Sequence, residues 1–158
     1  MRKRITKSNI FLSVSCIFLL LIAACVKNAE KQEIGAVVKA YNKALEGSYE
    51  TMDFEPLKDL TTGREYNKVS IYIMSYAGQN ERLNAHLIKF DIKRIVIKGN
   101  NADAMTSEEW EYERVNMTTG EAVKPYTFYT YEMNYKLLKD DNKWKVDRLK
   151  IIKEDQQH

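Results

Sequence analysis

At Arg82 the spacing of apolar residues changes, and this change cuts the chain into a helical part and a sheet part. Before it, Ile34, Val37, Val38, Tyr41, Ala44 and Leu45 recur at three- and four-residue intervals. That stripe predicts a helix from about Asn28 to Glu46, ended by Gly47 and Ser48. Phe54, Leu57 and Leu60 predict a short second helix capped by Asp53, with Pro56 acceptable only in its first turn. Thr62 and Glu65 have the spacing of a capping box, in which each side chain would bond the other's backbone N–H. Tyr66, Val69, Ile73 and Tyr76 then mark a third helix that stops near Ala77 and Gly78.

After Arg82 the period is two. Ile88, Phe90 and Ile92 alternate with Lys89, Asp91 and Lys93, and Ile95 and Ile97 resume out of phase, which a bulge near Lys93 and Arg94 would explain. Gly99-Asn100-Asn101 makes a hairpin turn, because Gly and Asn tolerate positive φ. A second strand runs from Ala102 to Val115, a third from Tyr126 to Leu138, and a fourth carries Trp144, Val146, Leu149 and Ile151. Turns at Asn116–Gly120 and Asp140-Asp141-Asn142 separate them. The expected class is α+β: three N-terminal helices packed on a curved antiparallel four-stranded sheet.

The N-terminus has a separate meaning. Arg2, Lys3, Arg4 and Lys7 precede an apolar run from Ile10 to Ala24, and Ile22-Ala23-Ala24-Cys25 follows as a small-residue cleavage site. This segment resembles the signal peptide and lipobox of bacterial lipoproteins. The resemblance implies a signal peptide over residues 1–24, cleavage before Cys25, lipidation of Cys25 with palmitate-type chains, and a cell-envelope address. Each buried methylene contributes about 0.8 kcal/mol, so two or three chains anchor far better than one. An uncleaved transmembrane helix is the other reading, which the short span from Ile10 to Val26 and the polar Ser13 and Ser15 disfavour. Val26 is not the aspartate that retains enterobacterial lipoproteins at the inner membrane, which points to the outer membrane or the cell surface. Residues 25–30 would be a short tether, reaching less than about 20 Å at ~3.5 Å per residue.

Cleavage changes the charge and cysteine counts. Four of the 25 basic residues and none of the 22 acidic ones precede Cys25, which leaves 21 against 22. A nearly neutral domain over residues 31–158 has no global attraction for nucleic acid. The group Lys89, Lys93, Arg94 and Lys98 reads as a solvated strand face or a local basic patch. Cys16 leaves with the signal and Cys25 takes lipid, so no intramolecular disulfide is available and packing must supply stability. About 130 residues suffice for one core.

Three residue groups bring a fold family into view: Glu109-Trp110-Glu111-Tyr112, the strand Tyr129 to Leu137, and Asp141-Asn142-Lys143-Trp144-Lys145-Val146-Asp147. With the order of elements they resemble the NTF2-like (cystatin-like α+β cone) superfamily, particularly variants on bacterial surface proteins and in the ARC6-type domain. The resemblance implies a cone with a concave mouth. It covers isomerases, dehydratases, epoxide hydrolases and non-catalytic binding modules, so it selects no chemistry.

Candidate functional residues are few. His86 shares parity with Ile88, Phe90 and Ile92, which places it either at the inner edge of the sheet beside a pocket or at the rim as a satisfied strand-start residue. Asp91, Glu109, Glu111, Glu113 and Glu132 have the parity that faces water. His158 ends a polar tail, and Asn116-Met117-Thr118 reads as an ordinary turn. No catalytic residue, metal site or cofactor is expected. All ten tyrosines follow Cys25 and, with Trp110 and Trp144, form either an aromatic core or an aromatic concavity. If there is a pocket, its ligand-binding residues are Trp110, Tyr112, Tyr129, Tyr131 and Tyr135, with His86 beside them. The expectation is therefore a lipid-anchored, non-catalytic module for a small ligand or an envelope protein, with homodimerisation through the sheets as a further option. The alternative is a small hydrolase or isomerase using His86 and a carboxylate in the cone mouth.

Overall fold

The computed structural model describes the backbone of residues 7–157 and the side chains of residues 28–156. Arg2, Lys3, Arg4, the side chain of Cys25 and the tail residue His158 lie outside the described residues. The chain divides into two compact units, Met1–Glu33 and Ile34–His158. The second holds all the elements below, with α1 from Ile34 onward.

Helix α1 (Lys7–Thr51) is longer than its sequence pattern suggests at both ends. Gly47 and Ser48 do not stop it. Ser48 donates its hydroxyl to the Ala44 carbonyl at 2.8 Å, and the buried Tyr49 extends the stripe of Ile34, Val38, Tyr41 and Leu45. Packing of that stripe outweighs the weak local stop signal. The helix ends where Met52 turns to φ 59°. Val26 to Glu30, expected as an extended tether, are helical, which shortens their reach to roughly 1.5 Å per residue.

Helix α2 (Glu55–Lys58) is a single turn around the buried Leu57. Asp53 is not the cap residue that the sequence predicts: Phe54 holds that position without a side-chain cap bond, and Asp53, one residue earlier, accepts from the Glu55 N–H at 3.0 Å in an Asx turn. Helix α3 (Gly63–Ala77) buries Val69 and Ile73. The capping box at its start is absent: Thr62 accepts no backbone N–H and instead donates its hydroxyl to Asp147 Oδ1 at 2.9 Å, while Glu65 turns into the core.

Four antiparallel strands follow in simple order: β1 (Glu81–Lys98), β2 (Asn101–Asn116), β3 (Ala122–Asp140) and β4 (Lys143–Gln157). The β3–β4 hairpin turns at Asp141 and Asn142, both at positive φ, as a two-residue connection requires. Register slips confirm a bulge at Lys93 and add a second at Ile88, between Leu87 and Lys89. Helix α3 touches both β1 and β4, the outer strands, so the sheet must curl around it. A bridge between Thr61 and Val146, with Thr62 N donating to Val146 O at 2.9 Å, ties the α2–α3 connection to β4.

The class is thus α+β, with helices against one face of an open antiparallel sheet. One core runs through Ile34, Val38, Tyr41, Leu57, Ile73, Tyr135, Leu137, Trp144 and Val146.

Candidate ligand cavity

The inward face of β2 changes in size along its length. It begins with Ala102 and Ala104, passes Thr106 and Glu108, and ends with Trp110 and Tyr112. On β3 the same face carries Leu137, Tyr135, Met133, Tyr131 and Tyr129. At the aromatic end the curled sheet, α1 and α3 enclose a cavity of about 510 Å³. That volume lies within the roughly 300–1,000 Å³ of small-molecule sites. Leu45, Val69, Leu83 and Ile151 add apolar wall, and Tyr49, Tyr72 and Tyr76 continue the aromatic lining.

The rings touch one another around the space. Trp110 and Tyr112 lie nearly parallel with centroids 5.8 Å apart, as do Tyr129 and Tyr131 at 5.8 Å. Tyr112 meets Tyr129 at 66° and Tyr49 at 87°. The sequence posed core or concavity, and both occur. Trp110 and Tyr135 are fully buried, whereas Tyr112 and Tyr129 are half-buried on the wall.

Beneath these rings lies a carboxylate. Glu108, on β2 between Thr106 and Trp110, has no exposed surface. Its Oε1 accepts from Thr106 Oγ1 at 2.7 Å and from Asn42 Nδ2 at 3.1 Å, and its Oε2 accepts from Trp110 Nε1 at 2.8 Å. The Tyr135 hydroxyl lies 2.7 Å from Glu108 Oε1 and 2.9 Å from Asn42 Oδ1. All four donors are neutral, so hydrogen bonds rather than a cation offset the desolvation of this carboxylate.

A second buried carboxylate stands nearby. Glu65 Oε1 accepts from Tyr41 OH at 3.1 Å, its Oε2 accepts from Leu149 N at 3.3 Å, and Lys68 lies 3.8 Å away. The two clusters meet where Tyr41 and Tyr135 pack edge to face at 5.9 Å. Burial, and then the adjacent carboxylate, push the hydroxyls of Tyr41 and Tyr135 well above the usual phenol range. Burial, and then neighbouring tyrosines, do the same to Tyr49 and Tyr112, so this wall stays protonated at neutral pH.

Two sequence expectations are corrected. His86 does not border the cavity. It is exposed on the opposite face, stacked 6.4 Å from Tyr126, with its Nδ1 3.4 Å from Glu46. His86 shares parity with Ile88, but the bulge at Ile88 reverses the faces, and Ile88 itself is 57% exposed. The expected lack of inward titratable groups is also wrong, since Glu65 and Glu108 both point in. Glu109, Glu111 and Glu113 occupy the other face as expected, Glu109 pairing with Lys89 at 3.0 Å. Glu108 shares even parity with Trp110 and Tyr112, and that signal identifies it.

Among the described residues no group of three or more His, Cys, Asp or Glu could hold a metal ion. No described helix is long and apolar enough to cross a membrane.

In fold the chain is similar to the intermembrane space region of the chloroplast protein ARC6, with a TM-score of 0.68 at 15% identity, over 76% of this chain and 94% of that one. It is also similar to a conserved protein from Planctomyces limnophilus DSM 3776, with a TM-score of 0.54 at 15% identity, over 79% and 99%. No protein-family model matches the chain, and no curated protein matches it in sequence. At this identity the two likenesses concern the fold alone.

Proposed function

We propose that this protein is a bacterial envelope lipoprotein, anchored through Cys25, whose NTF2-like domain holds a small ligand in the aromatic cavity without transforming it. The observation that carries the binding part is the cavity of about 510 Å³ walled by tyrosines over Glu108. A concavity of this size, mostly apolar and aromatic with a few convergent polar groups, is the usual form of a small-molecule site. The NTF2-like assignment draws support from the quoted motifs and from the fold shared with the ARC6 region. The anchor draws support from Ile22-Ala23-Ala24-Cys25.

The hydrolase or isomerase reading loses its proposed base, because His86 lies outside the cavity lining. Glu108 is no substitute. Thr106, Asn42 and Tyr135 crowd its Oε1 and Trp110 donates to its Oε2, and these donors fix it in place.

Two experiments test the reading. Growth with a labelled fatty acid should label the wild-type chain and leave Cys25→Ser unlabelled; label on both, or on neither, contradicts the anchor. Native mass spectrometry of the lipidated protein purified from its host in mild detergent should show a small molecule bound in addition to the acyl chains, lost in Tyr129→Ala. A mass with no such addition throughout contradicts the binding module.

A further inference from the structure

Among the described residues, three cations and two carboxylates reach the cavity lining, and they differ in how far they are neutralised. Lys68 and Arg114 reach its lining, but Lys68 is paired with Glu65 at 3.8 Å and Arg114 with Glu81. Lys124 and Glu154 also line it, at exposed positions of opposite sign where water screens both. Of the two buried carboxylates, Glu65 has Lys68 beside it, whereas the donors to Glu108, Asn42, Thr106, Trp110 and Tyr135, are all neutral. A negative charge held under a low-dielectric aromatic layer acts over a longer range than one in water.

The donors strengthen this bias. Trp110 and Tyr135 give their N–H and O–H to the carboxylate, and a ring that donates to an anion becomes more electron-rich. Electron-rich aromatic surfaces attract organic cations. The walls suit an organic body and not a bare metal ion, because Leu45, Val69, Leu83 and Met133 surround the rings.

We propose that the cavity selects an organic monocation, an alkylammonium group on an apolar body, drawn by Glu108 and by the rings of Trp110, Tyr112, Tyr129 and Tyr131. This deepens, and rests on, the reading of the domain as a ligand-binding module.

The test compares three probes of one shape on the full chain in a maltoside detergent, by calorimetry: choline, its neutral carbon isostere dimethylbutanol, and the anion dimethylbutyrate. Choline should bind at least about tenfold more tightly than either. Glu108→Gln should remove that preference, and Tyr129→Leu, which keeps apolar area but loses the ring, should weaken choline more than dimethylbutanol. If Glu108→Gln does not fold, the wild-type ranking and Tyr129→Leu decide alone. Equal binding of the three probes, or a preference for the anion, overturns the cation proposal and leaves the binding module standing. Binding of no probe overturns the cation proposal, and the native mass measurement then decides the binding module by itself.

Discussion

The Tyr135 hydroxyl sits 2.7 Å from the Glu108 carboxylate, linking the two central strands β3 and β2 beneath the cavity. Neither group reaches water, so each is a necessary partner of the other. Glu108→Ala would take the acceptor from Asn42, Thr106 and Trp110 and leave Tyr135 only Asn42 Oδ1, and it should cost about 3 kcal/mol or more. Tyr135→Phe removes one donor among four and should cost about 1 kcal/mol. In the double variant the two losses should be sub-additive by about 0.5 kcal/mol or more, measured by urea denaturation.

Alkaline stability follows from the buried phenols. Tyr41, Tyr49, Tyr112 and Tyr135 all titrate above the usual 10.0 in the fold, first because of burial. A raised folded value means that the unfolded chain loses protons first as pH rises. Stability should therefore be flat near neutrality and fall above about pH 10, as the unfolded phenols ionise. Tyrosinate absorbance followed against pH should rise cooperatively with loss of structure. A gradual rise to the full absorbance of all ten tyrosines in a still-folded chain, beyond what exposed ones such as Tyr126 contribute, would show that these hydroxyls are accessible.

The start of α3 provides a separate check. Thr62 bonds Asp147 across to β4, at 2.9 Å, and makes no cap bond of its own. Thr62→Ala and Asp147→Ala should each destabilise by about 1 kcal/mol, and together by little more than either alone. Full additivity in thermal melts would return Thr62 to a capping role.

This pair also shows what the sequence could and could not convey. Periodicity is a local property, and it located the stripe Ile34, Val38, Tyr41 and Leu45 and the alternation of Trp110 and Tyr112. Thr62 and Glu65 carry a legitimate capping pattern, but Glu65 has better partners in Tyr41 and Leu149, which are far away in sequence. The end of α1 failed similarly, because Tyr49 packs against Tyr72 and Tyr112 and draws the helix past Gly47. The aromatic wall was legible from composition and parity. Glu108 was legible too, two positions before Trp110 and on the same face. The face of His86 was not legible, since a bulge at Ile88 leaves no composition mark.

His86 should be dispensable. Its contact with Glu46 spans 3.4 Å between side chains that are 47% and 35% exposed, where water screens the pair. His86→Ala should change stability by less than about 0.5 kcal/mol and leave probe binding unchanged. A loss of binding in calorimetry would place the site on the wrong face of the sheet.

The two tryptophans separate the cavity from the rest of the core. Trp110 lines the cavity and donates its indole N–H to Glu108, whereas Trp144 is buried away from that lining, with Lys139 over its ring. The most direct measurement is a two-dimensional NMR titration of the isotope-labelled full chain with choline and dimethylbutanol, following both indole N–H signals. A ligand in the cavity predicts a saturable shift of the Trp110 signal while the Trp144 signal stays in place. A Trp110 signal unmoved by both probes, or moving only together with Trp144, would contradict the account.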